Sequence, residues 1–71
     1  MNVEQAEVIA NGDRVAVTLP MSLEGFLRSQ NLLPRSVVVE LNGEAVAPSE
    51  FAQRQIRGGD RLEIVRIVAG G

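Results

Sequence analysis

Gly58-Gly59-Asp60-Arg61-Leu62-Glu63-Ile64-Val65-Arg66-Ile67-Val68-Ala69-Gly70-Gly71 are the final residues of the sequence, and their period decides how the rest must be arranged. Gly58-Gly59-Asp60 reads as a turn. After it, Leu62 and Ile64 alternate with Glu63, Val65 and Ile67, the two-residue period of a strand whose faces differ. With Leu62 and Ile64 on a core, Glu63, Val65 and Ile67 point away from it, and two of those three are large aliphatics. An apolar set on the outward face of a strand calls for a reason. Val65 and Ile67, joined by Val38 on the neighbouring strand, are therefore expected to form a patch for partner docking.

Working outward, Val37-Val38-Val39-Glu40-Leu41 is a β-branched strand ended by the turn pair Asn42-Gly43, with Glu44 to Ala47 as a short edge strand. Two further strands lie between about Ala6 and Leu19, joined by Asn11-Gly12-Asp13, because an Asn-Gly pair takes positive φ cheaply and favours a tight hairpin. Pro20 stops the second of them. Ser22 then precedes Leu23, Phe26 and Leu27, an i, i+3, i+4 apolar set with Glu24 in the first turn, which predicts a short helix from Leu23 to about Gln30 with those three side chains in the core. Gly25 weakens it by up to about 1 kcal/mol, so it rests on packing. Leu32 and Leu33 are expected to fold back onto the core, and Pro48-Ser49-Glu50 to make one turn that lowers Phe51 and Ile56 onto it. The result is an α+β domain: a mixed sheet of four to five strands with one main helix on one face. A helical connection from the second to the third strand, joining parallel neighbours, would cross over right-handed.

Composition bounds the function. The sequence has 71 residues, 45% hydrophobic and 23% charged, which fits a single domain over 1–71 with a stability of about 4–10 kcal/mol. Nine acidic residues against seven arginines give a net charge of -2, so a basic nucleic-acid-binding stripe is not expected. His, Cys, Lys, Trp and Tyr are absent. The usual zinc ligands, thiolate nucleophiles, His-based triads and lysine Schiff bases go with them, so no catalytic side chain and no metal site is expected. The seven arginines are spread without a cluster, which fits a compositional bias toward Arg over Lys. No apolar run approaches the roughly 20 residues of a membrane span and the first residues do not resemble a secretory leader, so the expectation is a cytoplasmic protein with no membrane partner.

What remains is the α-carboxylate of Gly71. Gly70 and Gly71 have no Cβ and can lie extended in a slot too narrow for other residues, within reach of another protein's catalytic groups. Val68, Ala69 and Gly70 would present that carboxylate as a flexible tail over 68–71, since nothing there is large enough to offset the cost of ordering it, about 1–2 kcal/mol per residue.

The stretch Val38-Val39-Glu40-Leu41-Asn42-Gly43-Glu44, then Pro48 and Ser49-Glu50-Phe51, then Gly59 to Val65 and the terminal Val68-Ala69-Gly70-Gly71 resemble the ThiS family of thiamine-biosynthesis sulfur carriers. The resemblance runs from about Ala6 to the end. It implies a ubiquitin-like β-grasp fold and a protein that is acted on rather than an enzyme. The Gly71 carboxylate would be adenylated with ATP by an E1-like, ThiF-like adenylyltransferase and converted to a thiocarboxylate with sulfur from a persulfide-carrying protein. A ThiG-like thiazole synthase would then take that sulfur. No cofactor would be bound, ATP being used by the activating partner. Two departures stand out: Ala47-Pro48 occupies the place where family members often carry proline then arginine, and about five extra residues precede the matching region. The small subunit of molybdopterin synthase and a ubiquitin-like protein modifier share the fold and the Gly-Gly end and remain the alternatives, with a β-grasp interaction module whose tail is chemically idle as a third.

Overall fold

Both Asn-Gly pairs turn hairpins. In the computed structural model, which describes residues 3–67, Asn11 and Gly12 have φ of 51° and 86°, and Asn42 and Gly43 have φ of 52° and 87°. Positive φ at both central positions gives the turn type whose twist matches paired strands. The first pair joins β1 (Glu4–Ala10) to β2 (Asp13–Leu19). The second joins β3 (Val37–Leu41) to the short edge strand β4 (Glu44–Val46). The last strand, β5 (Arg61–Arg66), enters the middle of the sheet, parallel to β1 and antiparallel to β3, in the order β2-β1-β5-β3-β4. Five strands in this order with one helix across one face make the β-grasp arrangement.

One expectation fails here. β2 and β3 run parallel but are not neighbours, because β1 and β5 lie between them. β5 takes the centre, flanked by β1 and β3, and these are the three strands that carry a completely buried inward residue, Leu62, Val8 and Val39. The connection from β2 therefore spans the sheet instead of stepping to an adjacent strand. Two of the extra N-terminal residues find a place: Glu4 and Gln5 extend β1 opposite Leu19 and Thr18, and the Gln5 amide donates to the Thr18 hydroxyl at 3.3 Å.

The helix α1 spans Leu23–Ser29. Ser22 caps it, its Oγ accepting from the Gly25 N–H at 2.9 Å, and an exposed Arg28–Glu24 ion pair at 3.0 Å adds about 0.3–0.5 kcal/mol. Leu23, Phe26 and Leu27 are fully buried against Val8, Val39, Phe51 and Leu62. The segment after β4 holds the start of α1: Leu23 N–H donates to Arg54 C=O at 2.8 Å and Glu24 N–H to Phe51 C=O at 3.0 Å. A 3₁₀ turn over Pro48–Glu50 lowers Phe51 and Ile56 into the core as expected. Leu32 and Leu33 divide: Leu32 packs on the core, but Leu33 is exposed. Leu33 precedes Pro34, which restricts it to extended backbone, and it starts a 3₁₀ turn over Pro34–Ser36 at φ -82°, ψ 126°. Adjacent residues in extended backbone cannot both point inward.

Among the described residues no helix is long and apolar enough to cross a membrane.

Candidate functional site

The strand that leads to the Gly-Gly end is held by side chains from both hairpin turns. Asn11 Nδ2 donates to Ile64 C=O at 3.0 Å, and its Oδ1 accepts from Ile64 N–H at 2.7 Å. Pairing of β1 with β5 ends at Ala10 opposite Leu62, so the Asn11 side chain takes over as one more rung after the main chain has turned away. At the start of the strand Asn42 Oδ1 accepts from Arg61 N–H at 2.9 Å, and Asn42 Nδ2 donates to Asp60 Oδ1 at 3.0 Å. Asp60 Oδ2 in turn accepts from Arg57 N–H at 2.7 Å, closing the turn in which Gly59 has φ 87°. The last grip is Ile67 N–H on Ser36 C=O at 2.8 Å. The strand is thus fixed along its length as far as Ile67.

Two unlike surfaces flank this strand. On the outward face Val38 stands opposite Val65 and Glu40 opposite Glu63, with Val38 51% and Val65 63% exposed. Two carboxylates directly opposite one another repel, at about 0.2–1 kcal/mol for such cross-strand pairs. The sequence reading thus places Val38 and Val65 together; it did not foresee the acidic pair beside them. On the helix side, a groove of about 370 Å³ opens between the residues after α1 and the end of β5, with Leu32, Leu33, Val37, Arg66 and Ile67 among its lining. Ile67, 53% exposed, lies one residue past β5 and walls this groove.

Leu33 and the amide of Asn11 were not foreseen as parts of the site. The signal for Leu33 was Pro34. Asn11 carried none beyond its turn, since its partner is 53 residues away. Gly71, Gly70, Ala69 and Val68, the residues proposed to carry and present the carboxylate, lie outside the described residues, as does the expected flexible tail. Among the described residues there is no group of three His, Cys, Asp or Glu that could hold a metal ion.

Comparison with known proteins gives a consistent picture. Residues 18–71 match the ThiS family. A thiazole synthase of Paramagnetospirillum magneticum is 35% identical over 65 residues, covering 92% of this chain and 20% of that protein; the chain spans about a fifth of the length of that relative. Among solved structures, the crystal structure of a thiamine biosynthesis protein (ThiS) from Geobacter metallireducens superposes with a TM-score of 0.78 at 25% identity, covering 92% of this chain and 99% of the other. The solution structure of a thiamine biosynthesis protein from the same organism gives 0.74 at 25% identity, covering 92% and 87%.

Proposed function

The chain belongs to the ThiS family, and from that premise we propose that it carries sulfur for thiazole formation in thiamine biosynthesis as a thiocarboxylate on Gly71. It acts as a protein co-substrate. The observation that carries the reading is a strand fixed by both hairpin turns up to Ile67, with Gly70-Gly71 following at a distance that suits insertion. Four extended residues reach at most about 14 Å.

The chemistry needs a partner at each step. A carboxylate is a poor electrophile, so its oxygen first attacks the α-phosphorus of ATP on an E1-like adenylyltransferase, and pyrophosphate leaves. The acyl adenylate then has AMP as a leaving group, which the terminal sulfur of a persulfide displaces. Cleavage of the resulting S–S bond by a thiol releases the thiocarboxylate and a disulfide. This chain has no Cys, so both the sulfur and the thiol come from other proteins. The thiocarboxylate then donates to a thiazole synthase. The match to a longer thiazole synthase supports that pairing, and because the relatives are thiamine proteins, the molybdopterin reading is not favoured.

Val65 and Val38 are the proposed docking surface, without the expected Ile67, which lines the helix-side groove instead, and the Glu40–Glu63 pair fits that surface to a partner carrying Arg or Lys. Deleting Gly71 tests the site. The fold, read by circular dichroism and thermal melting, is expected to be unchanged while adenylation is lost. Thiocarboxylate formation at the parental rate in that variant would remove Gly71 from the mechanism.

A further inference from the structure

We propose that the helix-side groove at the end of β5 receives an apolar side chain of a partner protein flanked by a carboxylate. Three features of the groove carry this. Its exposed wall is built by the backbone: Leu33, 63% exposed, is held in extended conformation ahead of Pro34, and its carbonyl accepts from Ser36 N–H at 2.9 Å, closing the 3₁₀ turn. The opposite wall, Ile67, is fixed by its N–H on Ser36 C=O. Between them Leu32 and Val37 form an apolar floor continuous with the core, so a cavity of about 370 Å³ with two preset walls waits for a side chain that this domain does not supply among its described residues.

The charge at the rim selects the occupant. Arg66 shares the inward parity of Leu62 and Ile64 and lines the groove, and Arg35 stands on the 3₁₀ turn that carries Leu33. Among the described residues the one ion pair joins Arg28 to Glu24, so neither Arg35 nor Arg66 is compensated there. A leucine-sized group beside an Asp or Glu satisfies both the walls and the rim. The outward face of the same strand has the opposite character, Val38 and Val65 beside Glu40 and Glu63, so the two surfaces call for differently charged parts of a partner.

The first experiment is independent of the sulfur-carrier reading. The ¹⁵N-labelled chain is titrated with millimolar acetyl-Glu-Leu-Glu-amide, acetyl-Glu-Ser-Glu-amide and acetyl-Lys-Leu-Lys-amide. Saturable shifts at the amides of Leu32, Leu33, Val37 and Ile67 are expected with the first peptide, with preference reversed toward the lysine peptide in Arg66→Glu. Absence of shifts, or equal shifts with all three peptides, overturns the proposal. Shifts that follow the chain's own concentration without peptide identify a second copy as occupant and overturn it too. The second experiment rests on the carrier reading and uses the E1-like adenylyltransferase. Leu33→Ser and Arg66→Glu should each weaken binding about tenfold at unchanged melting temperature. Parental affinity in both variants excludes that enzyme's docking in the groove and overturns the proposal for it. Failure of the carrier reading itself would appear separately, as no ATP-dependent change in mass of the parental chain alongside a normal peptide titration.

Discussion

Asn11 and Asn42 occupy the same place in two hairpins, at nearly the same φ, and both direct their amides at β5. Asn-Gly is read from sequence as a turn because of what its backbone tolerates. The second use, as a substitute rung on a strand distant in sequence, depends on a tertiary contact that no local pattern encodes. Asn11→Gly separates the two uses, since glycine keeps the positive φ and removes only the side chain. Losing two exposed hydrogen bonds at roughly 0.5–1.5 kcal/mol each, with neither partner fully desolvated, should lower stability by about 1–2 kcal/mol. Urea denaturation checks the loss, and amide exchange at Ile64 should accelerate. An unchanged midpoint with unchanged Ile64 exchange would show that the Asn11 amide does not hold the strand. At the same scale Leu33 illustrates the limit of hydrophobicity as a guide: its neighbour Leu32 reaches the core, and Pro34 fixes the backbone that keeps Leu33 from doing so.

At the scale of elements, the alternation in Val37–Leu41 and Arg61–Arg66 was readable because one face of each strand is buried and the other is not. The helix was readable from Ser22, Leu23, Phe26 and Leu27. The sheet order was less so, because a parallel pair such as β1 with β5 leaves no turn signal between its members, and the expected adjacency of β2 and β3 followed the chain rather than the packing. The helix also shows a local conflict. A Cβ added at Gly25 would sit 3.3 Å from Ser22 Oγ, the atom that caps the helix, so part of the propensity gain of up to about 1 kcal/mol in Gly25→Ala should be lost to that crowding. Ser22→Ala, which removes the cap outright, is expected to cost about 1 kcal/mol and to lower the melting temperature by roughly 4–8 °C. A melting temperature equal to the parental one would mean that the packing of Leu23 against the core holds the helix start without the cap.

For the whole molecule, the described fold serves in the proposed function as a base, held along β5 as far as Ile67, for the reacting end. On the proposed reading the described residues contribute positioning and recognition and the reacting atom is that of Gly71, a residue the sequence singles out because the absence of His, Cys and Lys leaves so few candidates elsewhere. On the outward face Val65→Asp should leave stability within about 0.5 kcal/mol of the parent, as for most surface changes, while weakening binding to the activating enzyme by at least about tenfold. Unchanged binding in a folded variant would place the interface elsewhere. The most direct test of the central claim is the intact mass of the purified protein, first alone to establish a free carboxylate on Gly71, then after incubation with the E1-like adenylyltransferase, ATP, a persulfide donor and a thiol. The account predicts a gain equal to one oxygen replaced by sulfur, dependent on ATP and localised by fragmentation to Gly71. No mass change under those conditions, or sulfur found on any other residue, would contradict it.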